Sequence, residues 1–461
     1  MSEYAFNLVP REVPKISTKH RCIHTKIPVP ESLPVFEEIR RYESSSVMEQ
    51  LPVVWDRAKG YQVFDRWGNV WIDFTSTIFV ANAGHAHPHI VEALKTQAEK
   101  LLHSYSYPTE IRARYLKKLI EFTPSYLEKA SLFSTGTEAS ERAIKLARLY
   151  GQTLKPQRSL IVGGEGNFHG KTMGAQMAGG IEEMKEWIGY RDPNMVQVPF
   201  PYPGVLEQTG MSGKDLFYAH LELLKKNGYD IHRIAAFIVE SYQGWGALFY
   251  PPDYIQEMRR FSAGIGALLI FDEIQAGFGR TGKLFAYEHY EVEPDLVICG
   301  KAISSGPPLS AVLGRAHLID LDSTYTSTHG GHPLACAAGL ANIEVFEQEH
   351  LIEEAQRKES IFRSECARWK RRFPKRIGRI LGKGMIFGVF ITKPGSDEID
   401  QTLTDRIVEN ALYKGVFSIR TGRGTLKLGP PLNIPDEALI EGLRVYEEAI
   451  AEADDEVGRT V

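Results

Sequence analysis

The chain has 461 residues, 43% of them hydrophobic and 24% charged, with a formal net charge of −4. A length beyond the roughly 250–300 residues at which one core stops growing predicts more than one domain, and the near-balanced charge leaves no electrostatic footprint for nucleic acid or an acidic membrane surface. The four cysteines, Cys22, Cys299, Cys336 and Cys366, are widely separated and lack metal-ligand spacing, which argues against a disulfide framework or a metal site and predicts a reducing, cytoplasmic setting.

In chain order, residues 1–50 are punctuated by prolines ("VPREVPK", "IPVPESLP") and read as an extended arm laid over a neighbour. The start lacks the apolar core of a signal peptide, and no run approaches the roughly 18 apolar residues of a membrane span. "VVWDRAKGYQVFDRWGNVWIDF" reads as short antiparallel strands joined by turns. "HPHIVEALKTQAEKLLHS" sets Ile90, Leu94, Ala98 and Leu101 at helical spacing, and from about residue 130 to 335 apolar runs alternate with helical stretches. Amphipathic helices and short strands return after 340, with Leu439, Leu443, Tyr446 and Ile450 on one face of the last helix. The expected fold is α/β, with a mainly parallel central sheet in a large domain, 81–339. A small α+β domain is expected from both chain ends, 51–80 and 340–461.

Five apolar runs of the large domain end on chemistry. "KASLF" leads through Thr135-Gly136-Thr137 into a helix, and "RSLIVGGEGN" leads to Phe168-His169-Gly170. "IAAFIVE" ends on Glu240, "ALLIFDE" on Asp272 and Glu273, and "DLVICGK" on Lys301. Equivalent ends of parallel strands share one edge, where open α/β folds bind ligands. The helix-opening turn offers main-chain N–H groups to a phosphate, Phe168 a cover for a flat ring, and Asp272 a charge that keeps a ring nitrogen protonated. Lys301, poorly solvated behind its apolar run, offers a nucleophilic amine. Pyridoxal phosphate uses every one of these groups.

The same residues resemble the class III aminotransferases, the ornithine and 4-aminobutyrate type, over about residues 50–445. "FDEIQAGFGRTG" is similar to that family's Asp-Glu-Val-Gln-x-Gly-x-Gly-Arg-Thr-Gly signature, and "CGKAISSGPPLSAVLGR" resembles its Schiff-base lysine segment. "STGTEASERAIKLAR", "FHGKT", "VESYQG", "THGGHPLACAAGLANIEV" and "LKLGPPLNI" are similar to its other landmarks. The resemblance implies an aspartate aminotransferase-like architecture (fold type I) and a homodimer with shared active sites. It implies ping-pong transamination between a small amine or amino acid donor and a keto or aldehyde acceptor. It also implies that Lys301 binds the cofactor aldehyde, Asp272 pairs with the ring nitrogen, Gln275 approaches the ring hydroxyl and Phe168 stacks. Thr135, Gly136 and Thr137 would form the phosphate cradle, reached by Thr328 of the other chain, and Glu240 and Gln243 would border the substrate. His169 is placed in the cofactor site in a structural part, and Gly277, Gly279 and Gly282 as turn-makers.

Two positions depart from the family pattern. Lys171 and Lys427 stand where many members carry arginines that grip substrate carboxylates, and lysine keeps the charge without the planar two-pronged grip. Arg420 and Arg423 are the available substitutes; otherwise the substrate carries fewer carboxylates, as amino sugars and simple amines do. By family analogy Glu240 is expected to pair with Lys427 and swing aside for a carboxylate. A racemase, epimerase or aminomutase begins with the same proton abstraction and is the nearest alternative. A nucleotide-binding or metal-dependent hydrolase built on Asp272, Glu273 and Glu240 is more distant, because the chain has no Walker-type loop and no clustered histidine ligands.

Overall fold

The computed structural model of the chain describes residues 6–45 and 50–460. The strands Leu160–Gly164, Ile234–Glu240, Leu268–Asp272 and Leu296–Cys299 are buried at every position. Strands covered on both faces need this, which is why they read in the sequence as continuous apolar runs without alternation. With Lys129–Phe133, Ser310–Gly314 and Met195–Val198 they form a seven-stranded sheet. Its order is Lys129–Phe133, Ser310–Gly314, Leu296–Cys299, Leu268–Asp272, Ile234–Glu240, Leu160–Gly164, Met195–Val198. Ser310–Gly314 is antiparallel to both neighbours and every other adjacent pair is parallel. The strand ends at Phe133, Gly164, Glu240, Asp272 and Cys299 therefore lie on one edge, and Asp272 is in register with Glu240 and Ile298.

Helix Gly136–Thr153 covers the sheet with Ala139, Ala143, Leu146 and Ala147, all fully buried. Its start is a capping box in which Thr135 and Glu138 satisfy each other's main-chain donors. Helix Pro333–Gln348 buries almost every side chain and packs on helices Pro88–Ala98 and Glu110–Phe122. Gly339 sits so near Tyr115 that a Cβ would lie 2.6 Å from its ring.

The chain divides into two compact units, 88–353 and 1–87 with 354–461. The expected boundary at 340 is thus displaced. Helix Pro333–Gln348 is apolar all round and stays whole with the helices it packs on, so the break comes after it. In the second unit, Val416–Phe417 pairs in parallel with Val70–Asp73, tying the two ends of the chain into one sheet. The strands Ile377–Lys383, Ile386–Ile391, Thr425–Leu428 and Ile419–Arg420 form an antiparallel sheet. In helix Asp436–Thr460, Leu439, Leu443, Tyr446 and Ile450 are all 0% exposed.

Two further expectations change. The hairpin Ile16–Ser17 and Cys22–Ile23 joins this unit's own sheet through Cys22 and Val70, so part of the proline-rich arm is built into the unit. Residues 1–5 and 46–49 of that arm lie outside the described residues. Leu101 falls beyond the end of helix Pro88–Ala98 and is 41% exposed. Among the described residues no helix is long and apolar enough to cross a membrane.

Candidate active site

At the carboxyl edge of the seven-stranded sheet is a cavity of about 190 Å³ lined by Gly136, Thr137, Phe168, His169, Gly170, Glu240, Tyr242, Asp272, Ile274, Gln275, Ala276 and Lys301. Residues from all five chemistry-bearing strand ends meet here. Lys301 opens a single 3₁₀ turn, Lys301–Ile303, at φ 47°, a left-handed conformation that costs a non-glycine residue energy and that surrounding structure must enforce. Asn342, wholly buried on helix Pro333–Gln348, helps to do so by donating to the carbonyls of Ala302 and Ile303 at 2.9 and 3.3 Å. Burial pushes the Lys301 ammonium below its ordinary pKa, while Asp272 and Glu240 pull it back up. The net direction favours the neutral, nucleophilic amine.

Asp272 is held at both oxygens. His169 Nδ1 donates to Oδ2 at 2.7 Å and the Ile274 N–H donates to Oδ1 at 3.0 Å. The next residue, Glu273, points away from the cavity, because successive strand residues project to opposite faces. Its carboxylate takes the hydroxyl of Ser241 and the N–H groups of Ala286 and Tyr287. Burial still raises its pKa to about 8 against those bonds. Of the two acids that end this strand, one faces the cavity and the other ties down the loop beyond it. In that loop Gly279 and Gly282 take φ values of 81° and 79°, which the reversal of the chain there requires.

Glu240 lines the cavity, but its carboxylate is occupied: Oε1 accepts the Phe168 N–H at 2.9 Å and Oε2 the Gly244 N–H at 3.2 Å. Two main-chain tethers oppose the swing expected of it. Burial raises its pKa from 4.5 to about 7, with His169 pulling the other way and Asp272 adding to the rise. The folded chain then binds this proton more tightly than the unfolded chain, so the group's contribution to stability is greatest below about pH 4.5 and falls as pH rises to about 7. Against Glu240→Gln, the wild-type chain without cofactor is expected to lose about 3 kcal/mol of relative stability across that window. Denaturant midpoints measured at several pH values would show this, and a difference independent of pH would contradict it.

Gln243 does not border the cavity. It is 0% exposed, its Nε2 donates to the Glu165 carbonyl and Asn167 Oδ1, and its Oε1 accepts from Trp245 and Tyr202. The two-residue hairpin that carries it turns the amide inward, where it braces the 165–167 loop. Thr135 is exposed and spends its side chain on the capping box; of the three residues expected to form a cradle, Gly136 and Thr137 line the cavity. Thr328 is also exposed and outside this cavity; its neighbour Ser327 donates to Glu138 at 3.0 Å. Lys171 is exposed beside Gly170.

Lys427, Arg420 and Arg423 belong to the other unit. There the Lys427 ammonium lies 4.6 Å over the Phe79 ring and the residue is 5% exposed. Arg420 Nε donates to Asp405 Oδ1 at 2.5 Å, in a pair whose side chains are each 8% exposed. Arg423 sits in the turn before strand Thr425–Leu428, its N–H on Thr421 Oγ1 at 3.3 Å. Asn342, Ile274 and Tyr242 were not singled out by sequence reasoning. Ile274 had a signal, since it stands inside the acidic motif, and its side chain is what a Cβ at Gly136 would meet, at 2.9 Å.

The residues present fit pyridoxal phosphate. Gln275 Oε1 is buried in the cavity wall without a partner among the described residues, ready to accept from a ring hydroxyl. Asp272 is held where it could receive a ring N–H, the start of helix Gly136–Thr153 could accept a phosphate, and the Lys301 amine, of lowered pKa, could accept an aldehyde. Among the described residues no cluster of three or more His, Cys, Asp or Glu is arranged to hold a metal.

Comparisons with known proteins agree with this chemistry. Residues 44–450 match the family described as aminotransferase class III. A probable 4-aminobutyrate aminotransferase of Bacillus subtilis is 34% identical over 411 residues, covering 86% of this chain and 92% of its own. An acetylornithine aminotransferase of Methanosarcina mazei is 35% identical over 419 residues, covering 90% and 96%. The ornithine aminotransferase of Toxoplasma gondii, solved with partial occupancy of pyridoxal phosphate at its active site, superposes with a TM-score of 0.80 at 28% identity, covering 93% of this chain and 96% of that one. The chain belongs to the class III aminotransferases and is a pyridoxal phosphate-dependent transaminase.

Proposed function

We propose that this transaminase prefers an amine donor with few or no carboxylates, in the manner of an amino sugar or a simple amine, and pairs it with a keto or aldehyde acceptor. The observation that carries this reading is the state of Arg420, one of the two substitute arginines, and of the two lysines at the family's arginine positions. Arg420 is engaged by Asp405, Lys427 lies against the Phe79 ring, and Lys171 offers a point charge in place of a fork. A single-turnover screen with excess donor tests it. Carboxylate-free amines are expected to convert the bound cofactor at least about tenfold faster than glutamate, a difference of about 1.4 kcal/mol. Fastest conversion by glutamate would overturn the reading.

When bound, pyridoxal phosphate supplies an aldehyde that captures the donor amine and a protonated ring that draws electrons from the neighbouring carbon. Around it, Gly136 and Thr137 would hold the phosphate, Phe168 would cover the ring, Gln275 would accept from its hydroxyl and Asp272 would keep its nitrogen protonated. Lys301 Nζ would bind the aldehyde and serve as the general base and acid at the carbon that bears the donor amine. Donor and acceptor use the same place in turn, so initial-rate kinetics are ping-pong.

The quaternary reading is a homodimer in a cytoplasmic setting. Leu101, Leu102, Tyr105 and Tyr107, in one short segment, are 41%, 58%, 51% and 76% exposed, an apolar display that a second copy would cover. Thr328 is assigned to the partner's phosphate. Sedimentation at the 51.8 kDa of one chain would contradict the dimer, and twice that mass is expected.

A further inference from the structure

Residues 168–172 run past the cavity as a strap. At one end the Phe168 N–H is held by Glu240, and at the other Thr172 meets Thr137, hydroxyl to hydroxyl, at 2.7 Å. Between them Gly170, at φ 136°, lies so close that a Cβ would stand 2.2 Å from Thr137 Oγ1. Glu141 anchors the Thr172 end and does not line the cavity. It lies four residues beyond Thr137, hence on the same face of helix Gly136–Thr153. Its Oε1 accepts the Thr172 hydroxyl at 2.5 Å and the N–H groups of Gly174 and Ala175 at 2.9 and 3.1 Å. Thr172 is the N-cap residue of helix Met173–Ala178, yet its side chain caps nothing. Glu141, from another helix, takes that part.

The direction of these bonds follows from the donor inventory. A carboxylate only accepts, so the one Thr172 hydroxyl proton goes to Glu141 and the Thr172 oxygen is left to accept. Thr137 must then be the donor across the 2.7 Å contact, while its oxygen also accepts the Thr172 N–H at 3.4 Å. The Thr137 side chain is thereby bound against the strap, and with the Glu138 N–H taken by the Thr135 cap, the N–H groups of Gly136 and Thr137, which have no acceptor within the helix, remain for an anion.

We propose that Glu141 is a positioning residue of the cofactor site, acting through Thr172 to hold the Thr137 side chain on the strap and keep the phosphate cradle open. This rests on the reading of Gly136 and Thr137 as that cradle. The test is titration of the full chain, stripped of cofactor, with pyridoxal phosphate and with phosphate-free pyridoxal. Glu141→Ala and Thr172→Val are each expected to weaken pyridoxal phosphate about tenfold, as loss of a charge-assisted hydrogen-bond chain would, and to leave pyridoxal unchanged. Thr172→Ser, which keeps the hydroxyl, is expected to bind as the wild type does, and the double variant no more weakly than either single one. Equal losses for both compounds would reduce Glu141 to a general structural part and overturn the proposal. Unchanged or tighter phosphate binding in Thr172→Val would overturn it too. Gly136→Val separates the two layers. If it leaves the preference for the phosphate compound intact, the cradle reading has failed; if it abolishes that preference while the Glu141 and Thr172 variants do not, the cradle stands and only this inference falls.

Discussion

Replacement of Lys301 by alanine is expected to lower kcat by about four orders of magnitude or more, the scale on which removal of a covalent nucleophile acts. The side chain does two jobs that no neighbour can assume. Among the described residues its amine is the one lysine nitrogen lining the cavity, and burial lowers its pKa, which favours the neutral form that a base would need. Glu240 and Asp272, the two acids that line the cavity with it, are tied to main-chain N–H groups or to His169, which fixes them in place and keeps them from reaching for a substrate carbon. The Lys301→Ala chain is expected to fold, because the change removes a polar nitrogen from a buried site and alanine adopts φ 47° at no greater cost than lysine does. Circular dichroism beside steady-state rates would establish both points, and a loss under about tenfold would remove Lys301 from the chemistry.

The second large effect is expected from Asp272→Asn. The amide keeps the shape and can still accept from the Ile274 N–H, but it cannot hold a proton on a ring nitrogen by charge. Breaking one partner of a buried ion pair costs about 3–5 kcal/mol, and a loss of that size from the transition state corresponds to about two to four orders of magnitude in kcat. His169 suffers too. Its Nδ1 donates to the carboxylate and its Nε2 has no partner among the described residues, so the imidazole loses the group that orients it. His169→Gln should therefore reproduce a part of the Asp272→Asn loss, and steady-state kinetics of both variants would check this. A fully active Asp272→Asn enzyme would mean that the ring nitrogen finds its partner elsewhere.

Much of the site was legible because buried parallel strands announce themselves as apolar runs and their ends share an edge. Thr137, Phe168, Glu240, Asp272 and Lys301 needed no more than that geometry to be brought together. Where a side chain points within a turn is a different matter. Gln243 follows a strand end as Gln275 does, yet one amide turns into the 165–167 loop and the other into the cavity. Strand alternation could have separated Asp272 from Glu273 in advance, since adjacent residues face opposite ways. Asn342 lay hidden in a helix so uniformly apolar that it shows no preferred face, and the same uniformity masked where the large unit ends. Lys427 meets Phe79 from a chain segment far away in sequence, and Arg420 meets Asp405 of the preceding helix, contacts that no local pattern announces.

The whole account turns on where the cofactor is attached. Borohydride reduction of the loaded enzyme, followed by proteolysis and mass spectrometry, should put the added mass on the peptide containing Lys301 and on no other. A label on a different lysine, or none at all in a protein that binds pyridoxal phosphate and turns over, would contradict it.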